Sequence, residues 1–326
     1  MKFSLIIPVY NRPDEIKELL ESLMIQSFQQ DFEILIVEDG SEQNSESIVY
    51  NFQKIASNRG IELRYFLKQN TGAGMSRNYG MQEATGDYFI ILDSDIIVPE
   101  KYLEIVDQSL SKNYTDTFGG PDAAHESFSP TQKAINYAMT SFLTTGGLRG
   151  GKKPQTNFQP RSFNMGISRL AFEKTNGYSN RKIGEDIELS FRLKEMEFKS
   201  QLIPDAYVYH KRRSTFRQFL KQTNNFGKER PLLSKQFPQT NKITYWFPSL
   251  FLIGFWSSII LLFWKCYMPI TLVSIYLLII LIHATFQNKS IKIGFLTVWA
   301  TGIQFMGYGS GFIKSILKNM IQSNII

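Results

Sequence analysis

GDYFIILDSDIIVP, residues Gly86–Pro99, reads as a strand that runs straight into two carboxylates. Tyr88–Leu92 is apolar throughout, the pattern of a strand covered on both faces in the middle of a parallel sheet. Asp93-Ser94-Asp95 follows at once. Carboxylates placed there are costly unless something pairs them. At the carboxyl end of a strand in an open α/β sheet the expected partner is a ligand or a metal. Hard oxygen ligands this close suit Mg2+ or Mn2+, with phosphate oxygens completing the shell. Taken alone, D-x-D is also an ordinary acidic turn, so its neighbours decide the meaning.

Upstream, the same layout repeats. Lys2–Val9 reads as a first buried strand ending in Pro8-Val9-Tyr10-Asn11. Pro13-Asp14-Glu15 opens a helix, with proline and acids where the helix dipole favours them. Its apolar positions Ile16, Leu19, Leu20, Leu23 and Met24 recur at helical spacing. Phe32–Val37 is a second strand, ending in Glu38-Asp39-Gly40-Ser41, followed by a helix over Ser47–Ala56 and a third strand over Ile61–Leu67. Asn70-Thr71-Gly72-Ala73-Gly74 leads into a helix carrying Arg77 and Asn78. Strand–helix alternation at this spacing predicts an α/β protein with a doubly wound, mostly parallel sheet and helices on both faces. The strand ends would then share one rim, where such sheets bind nucleotides. On that rim Asp39 can accept an N–H of a pyrimidine base, and Arg77 can neutralise a diphosphate.

Composition shifts near residue 243. Tyr245–Trp264 is uncharged, Met268–Phe286 is almost wholly apolar, and Ile293–Ile313 is a third uncharged stretch rich in glycine. Three such stretches in succession point to membrane insertion. The third either crosses or lies at the interface. Lys221, Lys228, Arg230, Lys235 and Lys242 precede the first stretch and favour a cytoplasmic catalytic domain. The short apolar run before Pro8 is too brief for a signal-peptide core, which agrees. One cysteine, Cys266, excludes an intramolecular disulfide and suits a reducing compartment. The net charge of +7 is modest, and no nucleic-acid partner is expected. The chain is expected to divide into a catalytic domain, 1–235, with a nucleotide-binding first half, 1–100, and a second half, 101–235, and a membrane region, 236–326.

In the second half, Phe118-Gly119-Gly120-Pro121 suggests a strand end, Thr131–Leu143 a helix, and Phe163-Asn164-Met165-Gly166 a short strand. Gly146–Pro160 is glycine-rich and basic, readable as a surface loop or as a lid over diphosphate. Gly184-Glu185-Asp186 opens a helix over Ile187–Met196. A carboxylate placed so can act as a general base, and Asp186 is the candidate, with Glu185 second. Both also suit the first turn of a helix.

The ordered set IPVYNRP, VEDGS and NTGAGMSRNYGMQEATGDYFIILDSD resembles the nucleotide-binding half of family 2 glycosyltransferases, which have the GT-A fold. The resemblance implies a nucleotide-sugar donor, a divalent cation (Mn2+ or Mg2+) and inversion at the anomeric carbon. It places Pro8, Val9, Tyr10, Asn11, Glu38, Asp39, Asn70, Gly72, Arg77, Asp93 and Ser94 at the donor. It places Asp95, with Asp93, at the metal. Glu38 departs mildly, since aspartate is commoner there. The Glu185-Asp186 pair matches the family's catalytic E-D, and His210, in HKRRST, matches a histidine that returns to the metal. Processive synthases carry Gln-x-x-Arg-Trp, where this chain has Gln222-Thr-Asn-Asn-Phe226. The chain therefore looks closer to membrane-attached transferases of bacterial exopolysaccharide assembly, succinoglycan-type ones among them. The expected donor is a UDP-sugar and the expected acceptor a polyprenyl-diphosphate-linked saccharide at the membrane lipids. The alternatives are a simple lipid or protein acceptor, or a catalytically inactive nucleotide-sugar-binding scaffold.

Overall fold

The computed structural model describes residues 1–146, 158–181 and 183–323. They form two compact units, Met1–Ala123 with Lys152–His210, and Ala124–Gly151 with Lys211–Ile326.

In the first unit, β1 (Phe3–Val9), α1 (Pro13–Leu23), β2 (Phe32–Asp39), α2 (Glu46–Ser57), β3 (Glu62–Lys68), α3 (Ala73–Glu83) and β4 (Tyr88–Leu92) alternate as expected. The four strands pair in parallel, with β1 between β2 and β4. Next come β5 (Ile96–Ile97), α4 (Tyr102–Lys112), β6 (Thr117–Gly119) and β7 (Asp122–Ala123). Helices α5 (Pro130–Thr140) and α6 (Phe142–Thr145) belong to the second unit. The chain then supplies β8 (Asn164–Ser168), α7 (Arg169–Thr175), α8 (Glu185–Glu195), β9 (Ser200–Leu202) and β10 (Val208–His210).

The main sheet runs β3-β2-β1-β4-β8-β6-β9. Its one reversed strand is β8, antiparallel to both neighbours. The chain enters β8 beside the carboxyl end of β4, and an antiparallel neighbour needs no crossover helix. Both faces are covered. Leu5 and Ile7 pack with Ile16, Leu19 and Leu20 of α1, while Ile6 packs with Met81, Phe89 and Leu189 on the opposite side. That is why these strands read as continuous apolar runs rather than alternating ones.

The second unit is helical: α5, α6, α9 (Phe216–Gln236), α10 (Phe247–Leu262), α11 (Met268–Asn288) and α12 (Ile291–Ser323). The helix expected over Thr131–Leu143 breaks at Ser141. That residue has extended backbone, and its hydroxyl accepts from the Leu143 amide to cap α6. Helix α9 runs from Phe216 through Pro231 to Gln236 without interruption. Two apolar stretches, Ile243–Leu262 and Met268–Asn288, are long and apolar enough to cross a membrane. The third, Ile293–Ile313, lies inside α12, which packs along α9 and also against α5, α10 and α11. Contact with α9 is backbone to backbone: a methyl group added at Gly227 would collide with the Tyr308 carbonyl, and one at Gly311 with the Asn224 carbonyl. The Asn224 amide donates to the Gly307 carbonyl and to Ser310 across the same seam.

Candidate active site

Every parallel strand of the first unit ends at one edge of the sheet, and the polar residues after them meet there. After β1, Pro8 and Val9 are buried in the strand, while Tyr10 and Asn11 emerge into solvent. Asn11 has φ 51°, the left-handed region that asparagine tolerates. Its amide donates to Ser41 and its side-chain carbonyl accepts from the Gln43 amide, tying the first strand end to the second.

At the end of β2, Glu38 and Asp39 face different tasks. Glu38 accepts from the hydroxyls of Ser41 and Ser45, the Ser45 amide and, at 3.4 Å, Tyr65. It thereby holds the loop that follows its own strand. Asp39 accepts from Lys68 Nζ at 2.6 Å and from the amides of Thr71 and Gly72 at 2.9 and 2.8 Å. Burial pushes its carboxyl up, but these donors outweigh burial and hold it below its ordinary value. Asn70 and Gly72 are exposed in this turn. Gly40 is required beside it, with φ 71° and the Asn70 amide where a Cβ would sit.

Arg77 is the hinge between the two halves of the site. Only 4% exposed, it donates to Asp93 Oδ1 at 2.8 Å and to Glu185 Oε1 at 2.9 Å, and it lies over the Tyr178 ring. A rigid planar fork is what lets one side chain span two carboxylates. Burial opposes the charge on Arg77, yet Asp93, Tyr178 and Glu185 together hold its pKa above the ordinary value. The tie joins residues 16 and 108 positions away in the chain.

Asp93 follows β4, and its amide donates to the Phe163 carbonyl on the approach to β8. Ser94 and Asp95 are buried. A small three-stranded sheet, β5-β10-β7, places His210 opposite Ile96, one residue beyond Asp95. His210 Nε2 lies 3.3 Å from Asp95 Oδ1, its Nδ1 faces Asp122 at 3.9 Å, and its ring stacks on Phe163. The other Asp95 oxygen pairs with Arg12. Burial pushes the Asp95 carboxyl up, and His210 and Arg12 more than reverse that, holding it well below the carboxylate range.

One ligand atom from each of Asp93, Asp95 and His210 lies within 4.8 Å of the others. Two carboxylates and an imidazole in that space fit a divalent cation of the Mn2+ or Mg2+ kind, with positions left for oxygens of another molecule. An acid behind the far imidazole nitrogen, here Asp122, is the usual support for such a histidine.

Glu185 and Asp186 open α8 after Gly184, which has φ 74°. Burial raises the Glu185 carboxyl, Arg77 opposes this, Asp186 adds to it, and the net shift is upward. Asp186 Oδ1 accepts from the Ile187 amide at 2.8 Å, and Oδ2 faces Arg161 at 3.6 Å. The first unit therefore brings together Arg77, Asp93, Asp95, Glu185, Asp186 and His210. The basic loop considered as a lid, within Gly146–Pro160, lies largely outside the described residues, since 147–157 are not described. Arg12, Lys68, Asp122, Arg161 and Tyr178 escaped the sequence reading. Lys68 and Arg12 had a signal, since both sit at strand ends of the same rim.

An open α/β sheet with a D-x-D and an acidic helix start on one rim is an architecture of GT-A type. The chain belongs to glycosyl transferase family 2: that family's model matches residues 4–175, over half of it, and a second model, glycosyl transferase family group 2, matches 163–288. Among curated relatives, the GalNAc(5)-diNAcBac-PP-undecaprenol beta-1,3-glucosyltransferase of Campylobacter jejuni is 31% identical over 120 residues, 36% of this chain and 37% of that protein. The chain spans still less, 20%, of glycosyltransferases from Rickettsia conorii and Rickettsia felis. Among solved structures, the mannosyltransferase PcManGT from Pyrobaculum calidifontis, in complex with GDP-Man and Mn2+, superimposes with a TM-score of 0.58. It is 14% identical and covers 98% of this chain and 86% of that one. Residues 1–349 of S. aureus TarS in complex with UDP give 0.51 at 16% identity, covering 98% and 92%. These likenesses establish the shared fold.

Proposed function

We propose that this protein is an inverting, divalent-cation-dependent glycosyltransferase. It moves one sugar from a nucleotide-sugar, a UDP-sugar, to a membrane-associated acceptor such as a polyprenyl-diphosphate-linked saccharide in cell-surface polysaccharide synthesis. The observation that carries this reading is the Arg77 fork, which joins the D-x-D carboxylate Asp93 to Glu185 beside Asp186. Donor-binding and base-bearing segments are thereby one rigid arrangement.

In this reading the strand-end loops around Asn11, Asp39 and Gly72 seat the nucleotide, with Asp93 and Ser94 beneath it. Asp93, Asp95 and His210 would hold the cation, which would supply positive charge at the departing diphosphate. Asp186 takes the proton of the acceptor hydroxyl as its oxygen bonds to the anomeric carbon, and the bond to the diphosphate oxygen breaks on the opposite face. The Ile187 amide and Arg161 orient that carboxylate. Glu185 is the second candidate for base, and its pairing with Arg77 favours a positioning part. The undecaprenol-linked substrate in the Campylobacter relative's name and the UDP and GDP-Man complexes of the two structures support the acceptor and donor classes.

The catalytic portion, 1–235, would face the cytoplasm and be held at the membrane by 236–326. The two apolar helices and the basic residues before them support this. Anchoring raises the effective concentration of a lipid acceptor.

The test is donor turnover by detergent-purified protein across a panel of nucleotide sugars and polyprenyl-linked acceptors, with and without Mn2+ or Mg2+. One donor consumed in a cation-dependent way, with product of inverted anomeric configuration, is the expected result. Tight nucleotide binding with no turnover across the panel would favour the binding scaffold.

A further inference from the structure

We infer that Arg12 is the resident counter-ion of Asp95, displaced when a cation binds and passed to the donor's diphosphate, so that cation and donor bind in concert through it. The inference rests on reading Asp93, Asp95 and His210 as the cation site.

Asp95 is 8% exposed, and a carboxylate so placed needs a cationic partner. Arg12 supplies one to Oδ2, while His210 faces Oδ1. The Arg12 backbone is pinned, because its carbonyl accepts the Ile16 amide and starts α1. Its side chain, held by the Asp95 pair, is 26% exposed and lies at the open rim beside Tyr10 and Asn11.

A divalent ion on Asp95 would place two further positive charges within a few ångströms of the guanidinium, at a site screened from water. Like charges at that range repel strongly, so Arg12 has to leave the carboxylate. The diphosphate of a bound donor, whose oxygens a guanidinium matches well, would then receive it in competition with Asp93 and Glu15, which also bear on Arg12. Without donor, the displaced arginine has only Glu15 and Asp93, the latter itself facing the cation, and the cation binds weakly; with donor, it gains the diphosphate. Coupling of this kind is reciprocal, and the cation tightens the donor by the same factor.

The measurement is Mn2+ affinity, read by electron paramagnetic resonance of free Mn2+ on detergent-purified full-length protein, with Mn2+ alone. Arg12→Gln should bind Mn2+ about tenfold or more tightly than wild type, since the competing charge is gone. Arg12→Lys, which keeps the charge, should stay near wild type, and Asp95→Asn should lose the site in either background. Melting temperature of each variant confirms folding. An Arg12→Gln affinity equal to or weaker than wild type, with wild type still binding, overturns this inference and leaves the cation site standing. No Mn2+ binding by wild type or Arg12→Gln overturns both.

Discussion

The two compact units solve opposite problems of burial. In the first, apolar side chains point inward: Phe3, Leu5, Ile34, Tyr88 and Ile90 are sealed inside, and polar chemistry is gathered at one rim in paired form. In the second, outward residues of α10 and α11 include Trp256, Ile260, Ile275 and Leu278, while the inner seam of α9 and α12 is built of Gly227, Thr223, Gly307 and Gly311. A seam of small residues with large apolar residues facing outward is the pattern expected where the surrounding medium is itself apolar, although this unit also buries Phe219, Ile280 and Phe305. One unit is organised by the hydrophobic effect and a buried ionic network, the other by close approach of backbones.

The largest test of this contrast is chemical. Asp186→Asn should lower turnover by about 10²–10⁴-fold, the range of a lost general base, with nucleotide affinity nearly unchanged. Turnover near wild type would move the base to Glu185. Next is Arg77→Ala, which leaves Asp93 and Glu185 without their shared cation. Loss of one partner of a buried pair costs roughly 3–5 kcal/mol, and the first unit should lose both melting temperature and donor affinity. If donor affinity alone falls, the fork belongs to the ligand and not to the fold.

In the second unit the counterpart is Gly227→Leu. Its added bulk meets backbone, and overpacking of that kind costs about 1–3 kcal/mol, readable as a lower melting temperature in detergent. Gly254→Ala is the control, because a Cβ there meets nothing within 4 Å and helix propensity improves. Equal effects at the two positions would mean the α9–α12 seam is not close-packed in solution.

The smallest effect concerns pH. Glu33 is fully buried, accepting from the Ser4 hydroxyl and the Thr85 amide and pairing with Arg64. Burial raises its carboxyl, but these partners win and hold it below its ordinary value of 4.5. A carboxyl held low in the folded state adds stability that is complete above that value and lost as pH falls through the folded one. Glu33→Gln should therefore cost about 1 kcal/mol at pH 7 and flatten the fall of stability below pH 4.5. An unchanged acid limb would assign that fall to Asp39 and Asp95 instead.

The sequence by itself determined the parallel half of the sheet, because a strand covered on both faces must be apolar at consecutive positions, as Tyr88–Leu92 is. It also determined that Asp39, Asp93, Asp95, Asp186 and His210 are polar groups at element ends and that Arg77 lies on the helix after the third strand. Only the tertiary structure decided which of them meet. Arg77 reaches both Asp93 and Glu185, His210 returns to Asp95 through a three-stranded sheet, and β8 runs against its neighbours. Those pairings span up to 115 residues, and no local pattern encodes a partner at that distance. The same holds for Arg12, whose neighbours in sequence are a turn and a helix start, and whose partner is supplied by the packing of β1 against β4. Local periodicity reports which face a residue takes, whereas ion pairs across the rim depend on how separate elements stack.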